Sequence, residues 1–181
     1  MTMLNIDNAL LVIIDIQGKL AEVVHESEKH NAAAMRMIAG AQALEIPILL
    51  TAQAPHKIGH TTEQVRELLP TQHEFARMGF SIYTSPEIRL TLKASGRKQM
   101  ILCGFESHIC VYQSALDLME AGYEVYILTD AVSSRDPQNK KYILKELRGE
   151  GAHLINVETV FYALMRDPNH PAFRAISKII R

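Results

Sequence analysis

Short apolar runs recur along the chain, and each of them ends in polar residues or glycine. They cover residues 9–15, 46–52, 98–104, 123–130 and 152–157. The first run, ALLVIID, is continuously apolar up to its final carboxylate, which is typical of a strand buried on both faces. We therefore predict a strand at each of these positions.

Helical periodicity separates these runs. Two sets of apolar residues recur at helical spacing, one after the first run and one after the third: Ala34, Met37, Ala41 and Leu44, and Ile109, Tyr112, Leu116 and Met119. Asp136 and Pro137 predict the start of a later helix, as its N-cap and its first helical residue. Residues 53–76 are irregular and are predicted to form a loop with a short helix.

Strands that alternate with helices predict an α/β fold, with a mostly parallel central sheet and helices on both faces. The chain has 181 residues, of which 48% are hydrophobic, and it shows no linker or repeat. We therefore predict one domain over residues 1–181. Because such sheets bind ligands at the carboxyl ends of their strands, we expect Asp15, Gln53, residues 104–110 and Asp130 at one edge.

Composition narrows the classes of function. The formal net charge of -1 does not suit a nucleic-acid-binding protein, so we predict no nucleic-acid partner. No apolar run approaches the roughly 18 residues of a membrane span, and the first residues do not resemble a secretory signal. The chain has 2 cysteines, too few for a disulfide framework. We predict a cytoplasmic protein with reduced thiols and no membrane association.

Cys110 is the first candidate for chemistry. A helix is predicted to begin near Ser107, which places Cys110 in its first turn, where unpaired backbone N–H groups favour an anion and lower the pKa of a thiol. A thiolate there would be a competent nucleophile, with backbone N–H groups available for an oxyanion. The alternative is a small buried side chain that only packs, an interpretation that also fits Cys103 in the run MILCG.

A nucleophilic thiol needs a base, and Asp15 is the best placed. It ends the first strand and would face the same crevice, where a partly desolvated carboxylate can accept the proton of a thiol. Asp15 could instead cap a helix or pair with an arginine. His108 is discounted, because residues two apart on a helix do not face each other. Arg77 is the one cation that residues 72–83 offer to balance the site.

The stretches LLVIIDIQGKL and ILCGFESHICVYQSALDLMEAGYEVYILTDAVSSR together resemble the isochorismatase-like cysteine hydrolase family. The resemblance runs from about residue 8 to the C-terminus and is closest to the isochorismatase domain-containing proteins. It implies a flavodoxin-like α/β fold and an aspartate–lysine–cysteine triad, with the aspartate at Asp15 and the cysteine at Cys110. It also implies a cis peptide bond at Phe105–Glu106, in a turn that helps to form an oxyanion hole with Cys110.

Where the family has its lysine, this chain has Arg77. An arginine can supply a fixed positive charge, but it stays protonated in proteins and cannot exchange a proton. Arg77 could also be a surface ion-pair partner, with Lys57 or Lys19 reaching into the site instead.

The rest of the predicted site concerns the substrate. Gln17, Gln53 and Ser107 flank the triad positions and are predicted to line a pocket for a small-molecule substrate. The stretch TAQAPHKIGH lacks the Asp-x-His of the metal-dependent relatives, and no phosphate-binding motif is present. We therefore predict no metal and no cofactor. Relatives are commonly oligomeric, so the resemblance also implies a homo-oligomer.

Three functions compete at this point. The leading hypothesis is a cofactor-free cysteine hydrolase that acts on a small carbonyl or amide-type substrate. The second is a catalytically silent binding or assembly module that keeps the fold after losing the lysine. The third is a thiol-redox role, which the absence of a Cys-x-x-Cys motif disfavours.

Overall fold

The computed structural model describes residues 3–181. Six strands form one sheet in the order β3-β2-β1-β4-β5-β6, and every pair of neighbouring strands is parallel. The strands are β1 Ala9–Ile14, β2 Ile48–Gln53, β3 Glu74–Arg77, β4 Gln99–Phe105, β5 Glu124–Ser133 and β6 His153–Ile155. With the short edge strand β3 set aside, this is the flavodoxin strand order, as the resemblance implied.

Nine α-helices connect and cover the strands within the described residues. They are α1 Leu20–Val23, α2 Ser27–Ala43, α3 Pro55–Ile58, α4 Glu63–Leu68, α5 Pro86–Ser95, α6 Tyr112–Glu120, α7 Pro137–Gly149, α8 Val157–Met165 and α9 Phe173–Ile179. A 3-10 turn at Ile82–Thr84 and a π-helical turn at Ser107–Val111 complete the chain. The α/β prediction is confirmed.

The sheet separates two apolar cores. Alternate residues of β1 point to opposite faces, so Ile13 packs with α2, α8 and α9, whereas Val12 packs with α5, α6 and α7. The two cysteines are divided in the same way, since Cys103 lies in the first core and Cys110 in the second. Both are free thiols. A bond between them would have to cross the sheet, which argues against the redox hypothesis.

Several predicted boundaries need correction. The segment predicted as a loop with one short helix contains two short helices, α3 and α4, and most of strand β3. The fifth predicted strand is only three residues long, and the fourth continues past Asp130 to Ser133. The helix with Asp136 as N-cap is confirmed, since its side chain accepts a hydrogen bond from the N–H of Gln138.

The topology brings two strand ends together. The chain leaves β1 toward β2 and β3, and then crosses back to β4 on the other side of β1. The carboxyl ends of β1 and β4 therefore flank the point where the strand order reverses, which is where ligands bind in open α/β sheets. Ile14 pairs with Gly104 in this register, so Asp15 and the turn after β4 become neighbours.

Gly104 makes this close approach possible. Its φ is +121°, and a Cβ added to it would lie 1.8 Å from the carbonyl oxygen of Ile14. We expect Gly104→Ala to lower the free energy of unfolding by more than about 4 kcal/mol, because backbone atoms of β1 cannot move aside. Urea unfolding followed by circular dichroism measures this loss.

Gly96→Ala is the matched control. Gly96 also has a positive φ, of +66°, but no heavy atom lies within 4 Å of the position that an alanine Cβ would take there. The control should cost only about 1–2 kcal/mol, the penalty of a left-handed residue. Equal losses in the two variants would contradict the close-approach explanation.

Candidate active site

The centre of the site is a buried ion pair between Asp15 and Arg77. Asp15 follows β1 in a left-handed conformation with φ of 54°, and its side chain is 1% exposed. The Arg77 guanidinium donates one hydrogen bond to each carboxylate oxygen, from Nη1 at 2.7 Å and from Nη2 at 2.8 Å. Such a two-point contact is the strongest geometry for this pair of groups.

Arg77 reaches Asp15 from the end of the edge strand β3. Its Nη2 also donates to the carbonyl oxygen of Phe80 at 2.8 Å, and its side chain is 1% exposed. The surface location considered for Arg77 from the sequence is therefore wrong. Lys19 and Lys57 are exposed and do not replace it beside Asp15, although both line the cavity described below.

Cys110 lies in the π-helical turn that follows β4, with 7% of its surface exposed. Its thiol lies close enough to Asp15 for that carboxylate to influence its pKa. Burial raises the pKa of Cys110 well above its usual range, the charge of Asp15 raises it further, and the charge of Arg77 acts in the opposite direction. The lowered pKa predicted from the helix start is therefore wrong, because the thiol is desolvated and faces a carboxylate.

The turn between β4 and Cys110 is tightly organised. The Phe105–Glu106 peptide bond is cis, as the resemblance implied. Phe105 is fully buried, and the carbonyl oxygen of Glu106 accepts hydrogen bonds from the N–H groups of Ile109 and Val111. The hydroxyl of Ser107 is buried and has no hydrogen-bond partner among residues 3–181.

The two glutamines predicted to line a pocket occupy different positions. Gln17 is fully buried, and its amide nitrogen donates to the carbonyl oxygens of Gln53 and Gly59. Its amide oxygen accepts a hydrogen bond from the N–H of Gln53. Gln17 thus ties two loops together. Gln53 lines the cavity in front of Cys110, while its own amide nitrogen donates to the carbonyl oxygen of Met78.

The cavity has a volume of about 510 Å³. Its apolar lining comes from α1, α3, Phe80 and Ile109. Its polar lining consists of three cations and three other residues: Lys19, Lys57, Arg135, Gln53, Glu106 and Cys110. A second cavity of similar volume lies beside β3 and includes neither Asp15 nor Cys110.

Asp130 does not belong to this group. It was expected at the same edge of the sheet, but its carboxylate accepts a hydrogen bond from the N–H of Val157 at the start of α8, and it does not line the cavity. Conversely, Arg135 and Phe80 were missed. Arg135 could have been found from its place at the end of the motif TDAVSSR, whereas no sequence pattern marks Phe80.

The described residues offer neither a metal cluster nor a membrane span. Among residues 3–181, no group of three or more His, Cys, Asp or Glu side chains could hold a metal ion. His60, one of the histidines in the stretch TAQAPHKIGH, instead contacts Glu74 at 2.7 Å. None of the helices in this range is long and apolar enough to cross a membrane.

The contacts of Cys110 predict how Asp15→Asn changes its reactivity. Removing the carboxylate charge leaves Arg77 unopposed, so the pKa of Cys110 should fall and its alkylation by iodoacetamide at about pH 7.5 should become faster. In the wild type, the rate should keep rising with pH to about 9.5 without a plateau, because thiolate is the reactive form. Mass spectrometry of the Cys110 peptide gives both rates.

Asp7→Asn is the control for this experiment, since Asp7 is exposed before the amino end of β1. It should leave the rate unchanged. A slower alkylation in a folded Asp15→Asn variant would contradict the electrostatic account. Circular dichroism should accompany the measurement, because the substitution leaves Arg77 buried without its partner.

Known proteins share this sequence pattern. The isochorismatase domain model matches residues 9–159. A secreted isochorismatase effector of Phytophthora sojae is 32% identical over 96% of this chain and 85% of its own. Isochorismatase domain-containing protein 2 of Xenopus laevis is 31% identical over 96% of this chain and 83% of its own.

Among solved structures, the MAR1 ribonuclease of Caenorhabditis elegans superposes with a TM-score of 0.92 at 32% identity, covering 99% of this chain and 92% of that one. The predicted cytoplasmic location, the homo-oligomer and the lack of a nucleic-acid partner stay predictions. The family model and these relatives cover most of the chain, and the fold agrees with them. This chain therefore belongs to the isochorismatase family.

Proposed function

We propose that the protein is a cofactor-free cysteine hydrolase of small carbonyl or amide-type substrates. The observation that carries this proposal is the buried pair of Asp15 and Arg77, in which Arg77 holds both carboxylate oxygens, next to Cys110 and a cavity for a small molecule. A nucleophile, a base and a fixed cation thus occupy one region of the site, and the base and the cation are in direct contact.

The raised pKa of Cys110 defines the first step. The resting thiol is neutral, so its proton passes to Asp15 as the sulfur–carbon bond forms and the carbonyl electrons move to oxygen. Backbone N–H groups of residues 105–110 hold this oxyanion. When the tetrahedral intermediate collapses, the leaving group takes the proton from Asp15 and a thioester on Cys110 remains.

Water completes the cycle. It adds to the thioester carbonyl while giving a proton to Asp15, and the sulfur then leaves with that proton and the acid is released. Asp15 therefore carries the proton in both halves. In this proposal Arg77 keeps its own protons throughout and supplies only a positive charge, a role that an arginine can take at the position where the family has a lysine.

The nucleophile is tested with Cys110→Ala. We expect it to abolish hydrolysis of p-nitrophenyl acetate and p-nitroacetanilide, and to leave the thermal unfolding midpoint within a few degrees of the wild type. Cys103→Ser is the matched control, since Cys103 lies in the opposite core and its thiol contacts the carbonyl oxygen of Val12. Full turnover by Cys110→Ala would show that another site carries the activity, whereas an inactive wild type would favour the silent-module hypothesis.

The role of Arg77 is tested with two substitutions. Arg77→Lys keeps the charge and should retain kcat/KM for p-nitrophenyl acetate within about tenfold. Arg77→Met leaves Asp15 buried and unpaired, so kcat/KM should fall by more than about 100-fold. The free energy of unfolding in urea should also fall, by about 3–5 kcal/mol. Wild-type turnover in Arg77→Met would show that no cation is needed.

A further inference from the structure

Glu106 is the one carboxylate that lines the cavity within residues 3–181. Its side chain is only 6% exposed. It is fixed relative to the thiol, because its carbonyl oxygen accepts hydrogen bonds from the residues on either side of Cys110, at 3.1 Å and 3.2 Å. Burial and the charge of Asp15 are the larger causes of the raised pKa of Cys110, and the charge of Glu106 raises this pKa as well. The carboxylate of Glu106 therefore acts on the thiol.

The two oxygens of this carboxylate have different surroundings. Oε1 accepts a hydrogen bond from the backbone N–H of Arg135 at 3.0 Å and another from its Nε at 2.9 Å. Oε2 accepts no hydrogen bond from the described residues. It is also not fully buried, since it is absent from the buried polar atoms that lack a partner in this part of the chain. Oε2 is therefore the oxygen of Glu106 that is left without a donor from these residues, on a side chain that lines the cavity.

An open carboxylate oxygen restricts what can bind beside Cys110. A carboxylate only accepts hydrogen bonds, and a substrate that displaces water without offering a donor leaves that oxygen unsatisfied at a cost. A cationic donor is disfavoured, because Lys19, Lys57 and Arg135 line the same cavity. The donor that fits is neutral, and in a carbonyl compound that a cysteine hydrolase cleaves, the neutral donor next to the carbonyl carbon is the N–H of an amide.

We propose that Oε2 of Glu106 accepts a hydrogen bond from the N–H of a small neutral amide bound at Cys110, and that it thereby selects amides over esters. An ester has only oxygen lone pairs at that position, and these face the carboxylate without a proton between them. Arg135 is a positioning residue that holds Oε1. This inference rests on the proposed function, since it assigns the substrate class of the same site.

Two reagents of nearly the same shape test the proposal. N-methylchloroacetamide carries an N–H where methyl chloroacetate has an oxygen, and both alkylate a thiol at the same carbon. The sulfur–carbon bond forms, chloride leaves and the thiol proton is lost. Rate constants for Cys110 are measured by mass spectrometry and divided by those for glutathione, which removes the difference in intrinsic reactivity.

We expect the wild type to prefer the amide by about tenfold, as for one hydrogen bond to a charged group. Glu106→Gln keeps the shape but turns an N–H toward the ligand, so the preference should fall to about one. Arg135→Ala should reduce it as well, because Glu106 is then less firmly held. Glu120→Gln, an exposed glutamate of α6, should keep the wild-type preference.

The outcomes separate the two proposals. An absence of preference in the wild type, or a preference that survives Glu106→Gln, would overturn the role of Glu106. If Cys110→Ala is inactive and the wild-type preference for the amide reagent is near one, only the proposed role of Glu106 fails. If Cys110→Ala retains turnover, the proposed function fails whatever the ratio. Any fall in the pKa of Cys110 in Glu106→Gln accelerates both reagents equally and leaves the ratio unchanged.

Discussion

The buried contact between Asp15 and Arg77 is the constraint on which the rest of the site depends. A carboxylate this deeply buried is costly unless a cation and further hydrogen bonds compensate it. Arg77 meets both oxygens of Asp15, which ties the end of β1 to the end of β3 across the intervening strand β2. The edge strand is thereby anchored at its carboxyl end.

The same contact sets the state of the thiol. Burial raises the pKa of the Cys110 thiol, and the charge of Asp15 raises it further, so the opposing charge of Arg77 is offset at the sulfur. In the proposed mechanism, the chemistry then depends on a proton transfer that occurs only when a substrate is bound. A neutral resting thiol also reacts slowly with unrelated electrophiles and oxidants, which react with thiolates. In the proposed mechanism, the same arrangement of charges permits the thiol to react with a bound substrate and protects it from unrelated electrophiles and oxidants.

The cavity adds a second pair of charges to the first. Asp15 and Arg77 are closed off from solvent, whereas Glu106 and Arg135 stand at the cavity wall, with Arg135 63% exposed. We propose that the inner pair serves proton transfer and that the outer pair presents an acceptor to the substrate. Both carboxylates lie beside Cys110 because β1 and β4 are adjacent at the reversal of strand order.

The sequence by itself determined the α/β class and two of the three central residues. Long apolar runs made β1 and β4 visible; Asp15 directly follows β1, and Cys110 lies in the turn after β4. Strand β3 stayed invisible because its four residues, EFAR, are of mixed polarity and form a half-exposed edge. Arg77 was named as the nearest cation, but its contact with Asp15 joins residues 62 positions apart.

Only the tertiary structure decided the electrostatics. A helix start in the sequence favours a lowered thiol pKa, but burial and a facing carboxylate depend on which elements pack against it, and they reverse the direction. The free oxygen of Glu106 likewise depends on where Arg135 lies, 29 residues further on. Local sequence specifies which groups are present, whereas their desolvation and partners are long-range properties that exist only once the sheet has assembled.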